Sequence, residues 1–232
     1  MQMQSFFFMM TITTVVSTVC PPPDFHSKTV FNPEKYFNGT WYSIVQLEVA
    51  YQPLSGFFCT SATYTLEKTW WCSLTGCDDK IVVVNNRGTT GLNGPINQVT
   101  LQGIPSKEFP SQAKVGPRFL PSVLYGPYWI IEAGTFDDLL NDRALTSEKY
   151  EWSLVSGGPP TLAMGNGCLP GIGNKNYKGL WFLSRNPEPS AEGIEKVIAL
   201  AHAKGFDTTT WKPVVQKGCT YKNDEDVKEA LL

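Results

Sequence analysis

Short β-rich segments, which recur along most of the chain and are separated by turn residues, restrict its fold more than any other feature. Alternating or β-branched runs bounded by Gly, Asn or Pro are typical of strands. Seven such segments stand at residues 40–50, 59–66, 80–85, 97–103, 128–133, 150–156 and 179–184, with a less regular eighth at 114–120. The sequence therefore predicts about eight strands.

A single amphipathic helix follows these strands. Within residues 190–204, apolar side chains recur at i, i+3, i+4 and i+7, and Gly205 ends the pattern. Eight sequential strands and one such helix indicate an all-β fold, an eight-stranded antiparallel up-and-down β-barrel with one C-terminal α-helix packed on the outside. A barrel of this size has room for one small ligand. A short edge strand is predicted near residues 211–215.

Composition agrees with one packed globular domain. Of the 232 residues, 42% are hydrophobic and only 17% are charged, which argues against a disordered chain. The formal net charge is −2 and Lys and Arg are not clustered, so the sequence lacks the basic surface that nucleic acids require.

The first residues suggest a targeting segment. Residues 1–19 hold an apolar run that ends in small residues, as a secretory signal would, although no Lys or Arg precedes the run. We therefore expect a leader at 1–19, a barrel domain at 20–221 and a charged tail at 222–232. The mature domain is expected to have no transmembrane span.

Six cysteines support an oxidising destination, either outside the cell or in the lumen of an organelle such as the plastid thylakoid. Their even number and the lack of nearby histidines favour disulfides over a zinc site. The spacing of Cys72 and Cys77 could also fit a metal knuckle or a redox pair, but it is better suited to a bridge at a hairpin tip.

Several ordered motifs resemble the lipocalin family, most closely its apolipoprotein D and bacterial lipocalin branch. Cys20-Pro21 is followed by FNPEKYFNGTWY, which contains the family's G-x-W signature at Gly39 and Trp41. The later segments that carry the resemblance are CTSATYTL from residue 59, PYWIIEAG from 127, YEWSLVS from 150 and LWFLSRNP from 180. Together they cover about residues 20–221.

The resemblance implies roles for particular residues. Gly39 and Trp41 are expected to be scaffold residues, and Arg185 is expected to close the bottom of the barrel over Trp41, where a guanidinium over an indole is favourable. The implied disulfides join Cys20 to Cys168 and Cys59 to Cys219, which leaves Cys72 to pair with Cys77.

The resemblance also implies an apolar cavity for a small hydrophobic molecule such as a retinoid, carotenoid, sterol, fatty acid or tetrapyrrole. No cofactor and no metal are expected. Alternation along the strands, with Arg185 fixing the inward face of its own strand, predicts the lining. The predicted lining residues are Val45, Leu47, Tyr64, Trp129, Ile131, Trp152, Trp181 and Leu183. The same aromatics could instead be plain core packing.

Two insertions depart from the family pattern, at residues 135–149 and 157–179. Because loops carry variable contacts, they leave room for a protein or membrane-surface partner. The first insertion contains an acidic cluster, Asp137, Asp138 and Asp142, which is expected to be solvated rather than to bind a cation. The sequon at Asn38 fits glycosylation, but a turn residue is the favoured interpretation.

Two alternative functions remain. The start of the domain is also similar to the lipocalin domain of violaxanthin de-epoxidase, a carotenoid enzyme, whose Cys-rich front domain and Glu-rich tail have no counterpart in this sequence. A structural subunit of a larger assembly is the second alternative. Since His26 and His202 fall in the arm and the helix, away from any nucleophile motif, a carrier without enzymatic activity is the prediction.

Overall fold

The computed structural model describes residues 19–49, 52–75, 79–92, 94–146, 148–171 and 179–221. The predicted leader at 1–19, apart from Val19, lies outside the described residues, as do the predicted tail at 222–232 and Cys77. Within the described ranges, no helix combines the length and the apolar character that crossing a membrane requires.

The described residues contain eleven strands and four α-helices. In chain order they are α1 (Pro33–Tyr36), β1 (Gly39–Gln46), β2 (Phe58–Lys68), α2 (Trp70–Thr75), β3 (Lys80–Thr89), β4 (Ile96–Pro105), β5 (Gln112–Pro117), β6 (Gly126–Gly134), α3 (Phe136–Leu140), β7 (Trp152–Ser156), β8 (Leu162–Met164), β9 (Gly167–Leu169), β10 (Leu180–Ser184), α4 (Ala191–Ala203) and β11 (Lys212–Pro213). Single 3₁₀ turns lie at Leu54–Gly56 and Ser122–Leu124.

Eight of these strands close into an antiparallel barrel. Each of β1 to β6 pairs with the next strand, β7 pairs with β10, and β10 pairs with β1, where Tyr42 lies opposite Ser184. The predicted eight-stranded barrel with an outer helix is confirmed. The predicted edge strand is present as β11, which pairs with the second half of β1.

The helices begin where the sequence supplies caps. The side chain of Asn32 accepts hydrogen bonds from the backbone N–H groups of Glu34 and Lys35 at the start of α1. The Oγ atom of Ser190 accepts from the backbone N–H of Gly193 at the start of α4, at 3.1 Å. Such caps satisfy backbone donors that the first turn leaves free.

The buried apolar residues form two clusters. The outer cluster lies between the barrel wall and α4, and α4 contributes the fully buried Val197 and Ala201 to it. The inner cluster lies inside the barrel and includes the fully buried Trp41 and Ile130. A strand residue belongs to one cluster or the other according to the face on which it lies, since neighbouring residues alternate.

A β-bulge in β1 changes which of its residues face inward. The pairing with β10 shifts between Ser43 and Val45, so that Ser43 lies opposite Leu183 but Val45 lies opposite Phe182. One extra residue reverses the alternation beyond it. Consequently Val45 and Leu47 belong to the outer cluster, and Gln46, opposite Trp181, faces the interior.

Both insertions are folded onto the body in their described parts. In the first, Leu139 of α3 is buried in the outer cluster beside α4. In the second, β8 and β9 form a hairpin whose Cys168 bonds to Cys20 and pairs with Phe206 after α4. The inserted residues therefore extend the packing of the outer helix.

Two disulfides match the pairs that the family resemblance implies. Cys20–Cys168 ties the N-terminal arm to β9, and Cys59–Cys219 ties β2 to the C-terminal segment. Cys72 is buried, but its predicted partner Cys77 lies outside the described residues, so that pairing stays a prediction.

Candidate functional site in the barrel interior

The closed end of the barrel is built around Trp41. The guanidinium carbon of Arg185 lies 3.9 Å from the centroid of the Trp41 ring. Its two terminal nitrogens donate to the carbonyl oxygens of Thr40 and Tyr36, each at 2.9 Å. Gly39 has φ +81°, and a β-carbon there would stand 3.5 Å from the guanidinium. Arg185 therefore holds the start of β1 and the end of α1 in one geometry.

Strand register identifies the residues that share the inner face with Trp41, because residues directly opposite one another lie on the same side of a sheet. One row runs across β1 to β4 through Trp41, Ala62, Asn86 and Val99. A second row runs across β2 to β5 through Tyr64, Val84, Leu101 and Pro117. The rows are apolar apart from one amide and one phenol.

The interior is closed at one end and accessible at the other. Trp41 and Tyr36 are fully buried, whereas Val99, in the same row as Trp41, is 50% exposed. Tyr128 and Trp181 are half-buried, and their rings stack with centroids 6.4 Å apart and planes 28° apart. The inner wall thus passes from a dry aromatic floor to a mouth where apolar side chains contact solvent.

Four hydroxyl groups lie within hydrogen-bonding distance of one another near the closed end, the floor, of the barrel. The Tyr64 and Tyr128 hydroxyls lie 2.8 Å apart, and the Tyr36 hydroxyl lies 3.2 Å from that of Tyr128 and 2.9 Å from Ser153 Oγ. Burial raises the pKa of Tyr64 to about 12 and raises the pKa values of Tyr36 and Tyr128 as well. At neutral pH these three phenols therefore carry their protons.

A second polar group lies at the end of β1. Gln46 is fully buried, accepts from Ser43 Oγ at 2.6 Å and donates to Gln52 Oε1 at 3.0 Å. Gln52 in turn donates to Thr60 Oγ1 at 3.0 Å. Because both ends of the Gln46 amide are hydrogen-bonded, an amide inside the barrel is tolerated.

The structure separates the eight predicted lining residues into two groups. Tyr64, Trp181 and Leu183 belong to the inner cluster. The other five, Val45, Leu47, Trp129, Ile131 and Trp152, belong to or pack against the outer cluster. Val45 and Leu47 lie on the outer face because of the bulge in β1 between Ser43 and Val45.

For β6 and β7 the predicted face was the one under α4. Both faces of these strands are apolar, so alternation alone does not distinguish them. The inner residues there are Tyr128, Ile130 and Val155.

Sequence reasoning also missed Tyr36, Tyr128 and Ser153, which share the hydroxyl network. One signal was available: Trp181 and Leu183 were assigned inward from Arg185, and the strand paired with β10 could have been aligned to them. In that alignment Val155 lies opposite Trp181, and Ser153 lies opposite Leu183. No local signal marks Tyr36, which precedes the first strand.

The acidic cluster in the first insertion makes ion pairs. Asp137 and Asp138 both pair with Arg143, and Asp142 pairs with Lys196 at 3.2 Å. Asp138 also accepts from Thr135 Oγ1, the side chain that caps α3. Across the described ranges, no three His, Cys, Asp or Glu side chains are grouped so that they could hold a metal ion.

The chain was compared with known proteins. No protein-family model and no curated protein matches it. Among solved structures, it is similar to apocrustacyanin C2, with 13% identity, coverage of 90% of this chain and 98% of that one, and a TM-score of 0.50.

Lobster apocrustacyanin A1 gives 13% identity, coverage of 90% of this chain and 99% of that one, and a TM-score of 0.50. Per a 4, a major allergen from cockroaches, gives 12% identity, coverage of 86% and 96%, and a TM-score of 0.50. Identities this low indicate a shared fold only. With its closed eight-stranded barrel, outer helix and Arg185 stacked on Trp41, this chain has the lipocalin fold.

Proposed function

We propose that this protein is a lipocalin that binds and carries a small hydrophobic molecule in its barrel. One observation carries the proposal: the inner wall of a closed barrel contains exposed and half-buried apolar residues above a fully buried floor. A monomeric protein gains stability by burying such residues, so a solvent-accessible apolar interior is best explained by a ligand that covers it.

The chemistry of the wall supports an apolar ligand with few polar groups. In the two rows across β1 to β5, no side chain is charged, and the phenols at the floor are neutral at physiological pH. Trp181 and Tyr128 offer aromatic surfaces against which a flat or extended molecule can pack. Retinoids, carotenoids, sterols, fatty acids and tetrapyrroles fit this description.

The residues proposed to contact the ligand are those on the inner face of the barrel. We assign the contact surface to Tyr64, Trp181 and Leu183 from the sequence prediction, together with Tyr128 and Leu101, which share that face. Val45, Leu47, Trp129, Ile131 and Trp152 contribute to the packing of α4 and are expected to affect ligand affinity only through stability.

The experiment starts with the absorption spectrum and extract mass of the freshly purified protein, which should contain a bound pigment or lipid. The emptied protein is then titrated with retinol, β-carotene, cholesterol, hexadecanoic acid and haem while tryptophan fluorescence is followed. At least one should quench it saturably. If none does, the carrier function is rejected and a scaffold role is favoured.

Matched variants show where binding occurs. Val99→Trp places an indole on the inner face at the mouth, whereas Gln98→Trp places it on the outer face of the same strand. The first should weaken binding and the second should not. Turnover of an epoxy-carotenoid with ascorbate would instead support the enzymatic alternative.

Oxidised cysteines support an oxidising compartment, since disulfides rarely persist in the cytosol. We infer that the protein is secreted or enters an organelle lumen. Expression of the whole chain in a secreting host, followed by determination of the mature N-terminus, tests this. Any protein or membrane-surface partner would contact the second insertion at β8, where Leu162 and Met164 are exposed.

A further inference from the structure

Four hydroxyl groups form a continuous hydrogen-bonded chain inside the barrel. It passes from Tyr64 to Tyr128, then to Tyr36, and ends at Ser153. Ser153 Oγ lies 3.5 Å from the carbonyl oxygen of Glu132. Buried polar groups cost free energy unless they are paired, and in this hydroxyl chain each hydroxyl pairs with the next.

The backbone carbonyl favours one direction of the protons along this hydroxyl chain. A carbonyl oxygen can only accept, so Ser153 gains a second hydrogen bond, a long one at 3.5 Å, only when its proton points to Glu132. Tyr36 then donates to Ser153, Tyr128 donates to Tyr36, and Tyr64 donates to Tyr128. In the described part of the chain, the Tyr64 oxygen has no other partner, so its lone pairs are left as an acceptor.

Charge further limits what the Tyr64 oxygen can bind. Since burial raises the pKa of Tyr64 to about 12, its hydroxyl stays neutral and provides no anion for a cationic ligand. The Arg185 guanidinium acts electrostatically on all three tyrosines from the floor, so an ammonium group would be repelled. A ligand carboxylate or carbonyl would bring lone pairs against the lone pairs of Tyr64.

A neutral donor remains, and the simplest such group on an apolar molecule is an alcohol. We propose that the Tyr64 end of the hydroxyl chain receives the hydroxyl group of an apolar ligand, so that the barrel prefers alcohols to the matching aldehydes, ketones and acids. This inference rests on the proposed carrier function and specifies its ligand class.

The position of the hydroxyl chain in the barrel is suited to receiving the end group of a ligand. Tyr128 joins the buried hydroxyl network to the accessible interior, because its ring is half-buried and stacks with Trp181. A ligand whose body packs on these two rings would direct its end group towards the oxygens of Tyr128 and Tyr64, which are 2.8 Å apart.

The test uses ligand pairs that differ mainly in the donor. Retinol is compared with retinal, cholesterol with cholestenone, and hexadecan-1-ol with hexadecanal, all by quenching of tryptophan fluorescence or by displacement of a bound member. For any pair that binds, the alcohol should bind about two- to tenfold more tightly, the factor that one net hydrogen bond contributes.

Three variants test whether the hydroxyl chain causes that preference. Tyr64→Phe removes the acceptor oxygen, so the difference in affinity between each alcohol and its carbonyl partner should disappear. Tyr125→Phe is the control, since its ring lies against Gly116 on the other face of β5, and it should keep the preference. Ser153→Ala removes the acceptor for Tyr36. Tyr36 can then donate to Tyr128, Tyr128 can donate to Tyr64, and the Tyr64 hydroxyl can donate to a ligand carbonyl. The preference should therefore shift towards the carbonyl compound.

The outcomes are distinguishable. If alcohols and carbonyl compounds bind equally well to the unaltered protein, or if Tyr64→Phe keeps the difference, the hydroxyl inference fails while the carrier function stands. If no member of any pair binds, the carrier function fails and the inference fails with it.

Discussion

The guanidinium carbon of Arg185 stands 3.9 Å above the Trp41 ring, while its nitrogens donate to the carbonyl oxygens of Thr40 and Tyr36. One side chain at the end of β10 thereby fixes the beginning of β1 and the end of α1. Because β1 and β10 are the strands that close the barrel, this contact lies at the point where closure occurs.

Replacement of Arg185 should therefore destabilise the protein more than a typical surface substitution does. Arg185→Met removes two charged hydrogen bonds and a cation–π contact, and we expect a loss of about 2 to 5 kcal/mol in the free energy of unfolding. Arg185→Lys keeps the charge but lacks the planar fork, so it should recover less than half of the loss.

Denaturant titration measures both changes. Arg118→Met is the control, since Arg118 is half-exposed and its nearest carboxylate, Glu67, lies 3.9 Å away. Its effect should be within about 0.5 kcal/mol. An equally small effect of Arg185→Met would show that the contact does not stabilise the barrel.

The pH dependence of stability should depend on Tyr64. In the unfolded chain a tyrosine titrates near 10.0, whereas in the folded protein burial raises the pKa of Tyr64 to about 12. Between these values the folded state holds more protons than the unfolded state. The free energy of unfolding therefore falls as pH rises through this window, and the contribution is fully present below it.

Unfolding titrations at about pH 9 and about pH 11 should show a decrease that is smaller in Tyr64→Phe than in the unaltered protein, by about 1.4 kcal/mol, because pH 11 lies one unit above the pKa of the unfolded chain. Non-reducing mass spectrometry checks that the disulfides stay intact in alkali. Equal decreases in both proteins would mean that Tyr64 titrates normally.

Gly179 should control the position of Trp181. A β-carbon at Gly179 would lie 2.0 Å from Trp181 Cζ2, so the indole must cover the glycine in the barrel interior. Gly179→Ala is expected to displace the indole and to weaken ligand binding several-fold. Ligand titration monitored by fluorescence measures this.

The matched control for Gly179 is Gly126→Ala. There the nearest atom to a new β-carbon is the Val115 carbonyl oxygen at 3.9 Å, which is an ordinary contact. Ligand affinity should be unchanged in this variant. Unchanged affinity in Gly179→Ala as well would indicate that Trp181 does not contact the ligand.

Sequence alone predicted the barrel because the signals for it are local. The helix expected at 190–204 is observed at Ala191–Ala203, with Ser190 as its cap, and the strand expected at 59–66 is observed at Phe58–Lys68. Apolar periodicity and capping side chains depend on neighbours in sequence, so both could be identified without the structure.

The interior could be predicted only in part because its definition is not local. Nothing in TWYSIVQ marks a bulge at Ile44, yet this bulge moves Val45 and Leu47 outward. On β6, Trp129 and Ile131 are as apolar as their neighbours because α4 covers the outer face. Where both faces of a strand are buried, alternation does not identify the inward one.

The Cys59–Cys219 disulfide should make a large contribution to stability. It spans 160 residues, and cross-linking a loop of that length lowers the entropy of the unfolded chain enough to contribute about 5 kcal/mol in the chain-entropy model. The double variant Cys59→Ala, Cys219→Ala should lose much of this.

Thermal unfolding of the double variant measures the loss, and mapping of disulfide-linked peptides in the unaltered protein is the check on pairing. Free thiols at Cys59 or Cys219 would contradict the assignment. The same map tests the predicted bond between Cys72 and Cys77.

A buried ion network joins the N-terminal arm to the outer helix. Lys28, only 8% exposed, donates to Glu132 Oε1 at 2.6 Å and to the carbonyl oxygen of Leu145 at 3.2 Å. Lys204 at the end of α4 reaches Glu132 Oε2 at 3.4 Å. Glu132 is therefore the only carboxylate, among the described contacts, that compensates the buried ammonium of Lys28.

Removal of Glu132 alone should therefore be costly, because it leaves a buried charge without a partner. We expect Glu132→Gln to lower the free energy of unfolding by about 3 to 5 kcal/mol. Adding Lys28→Met removes the stranded charge, so the double variant should be more stable than Glu132→Gln. Lys204→Met, at a side chain 30% exposed, should cost less than about 1 kcal/mol. If denaturant titration found the double variant less stable than Glu132→Gln, the packing of Lys28 rather than its charge would hold the arm to the barrel.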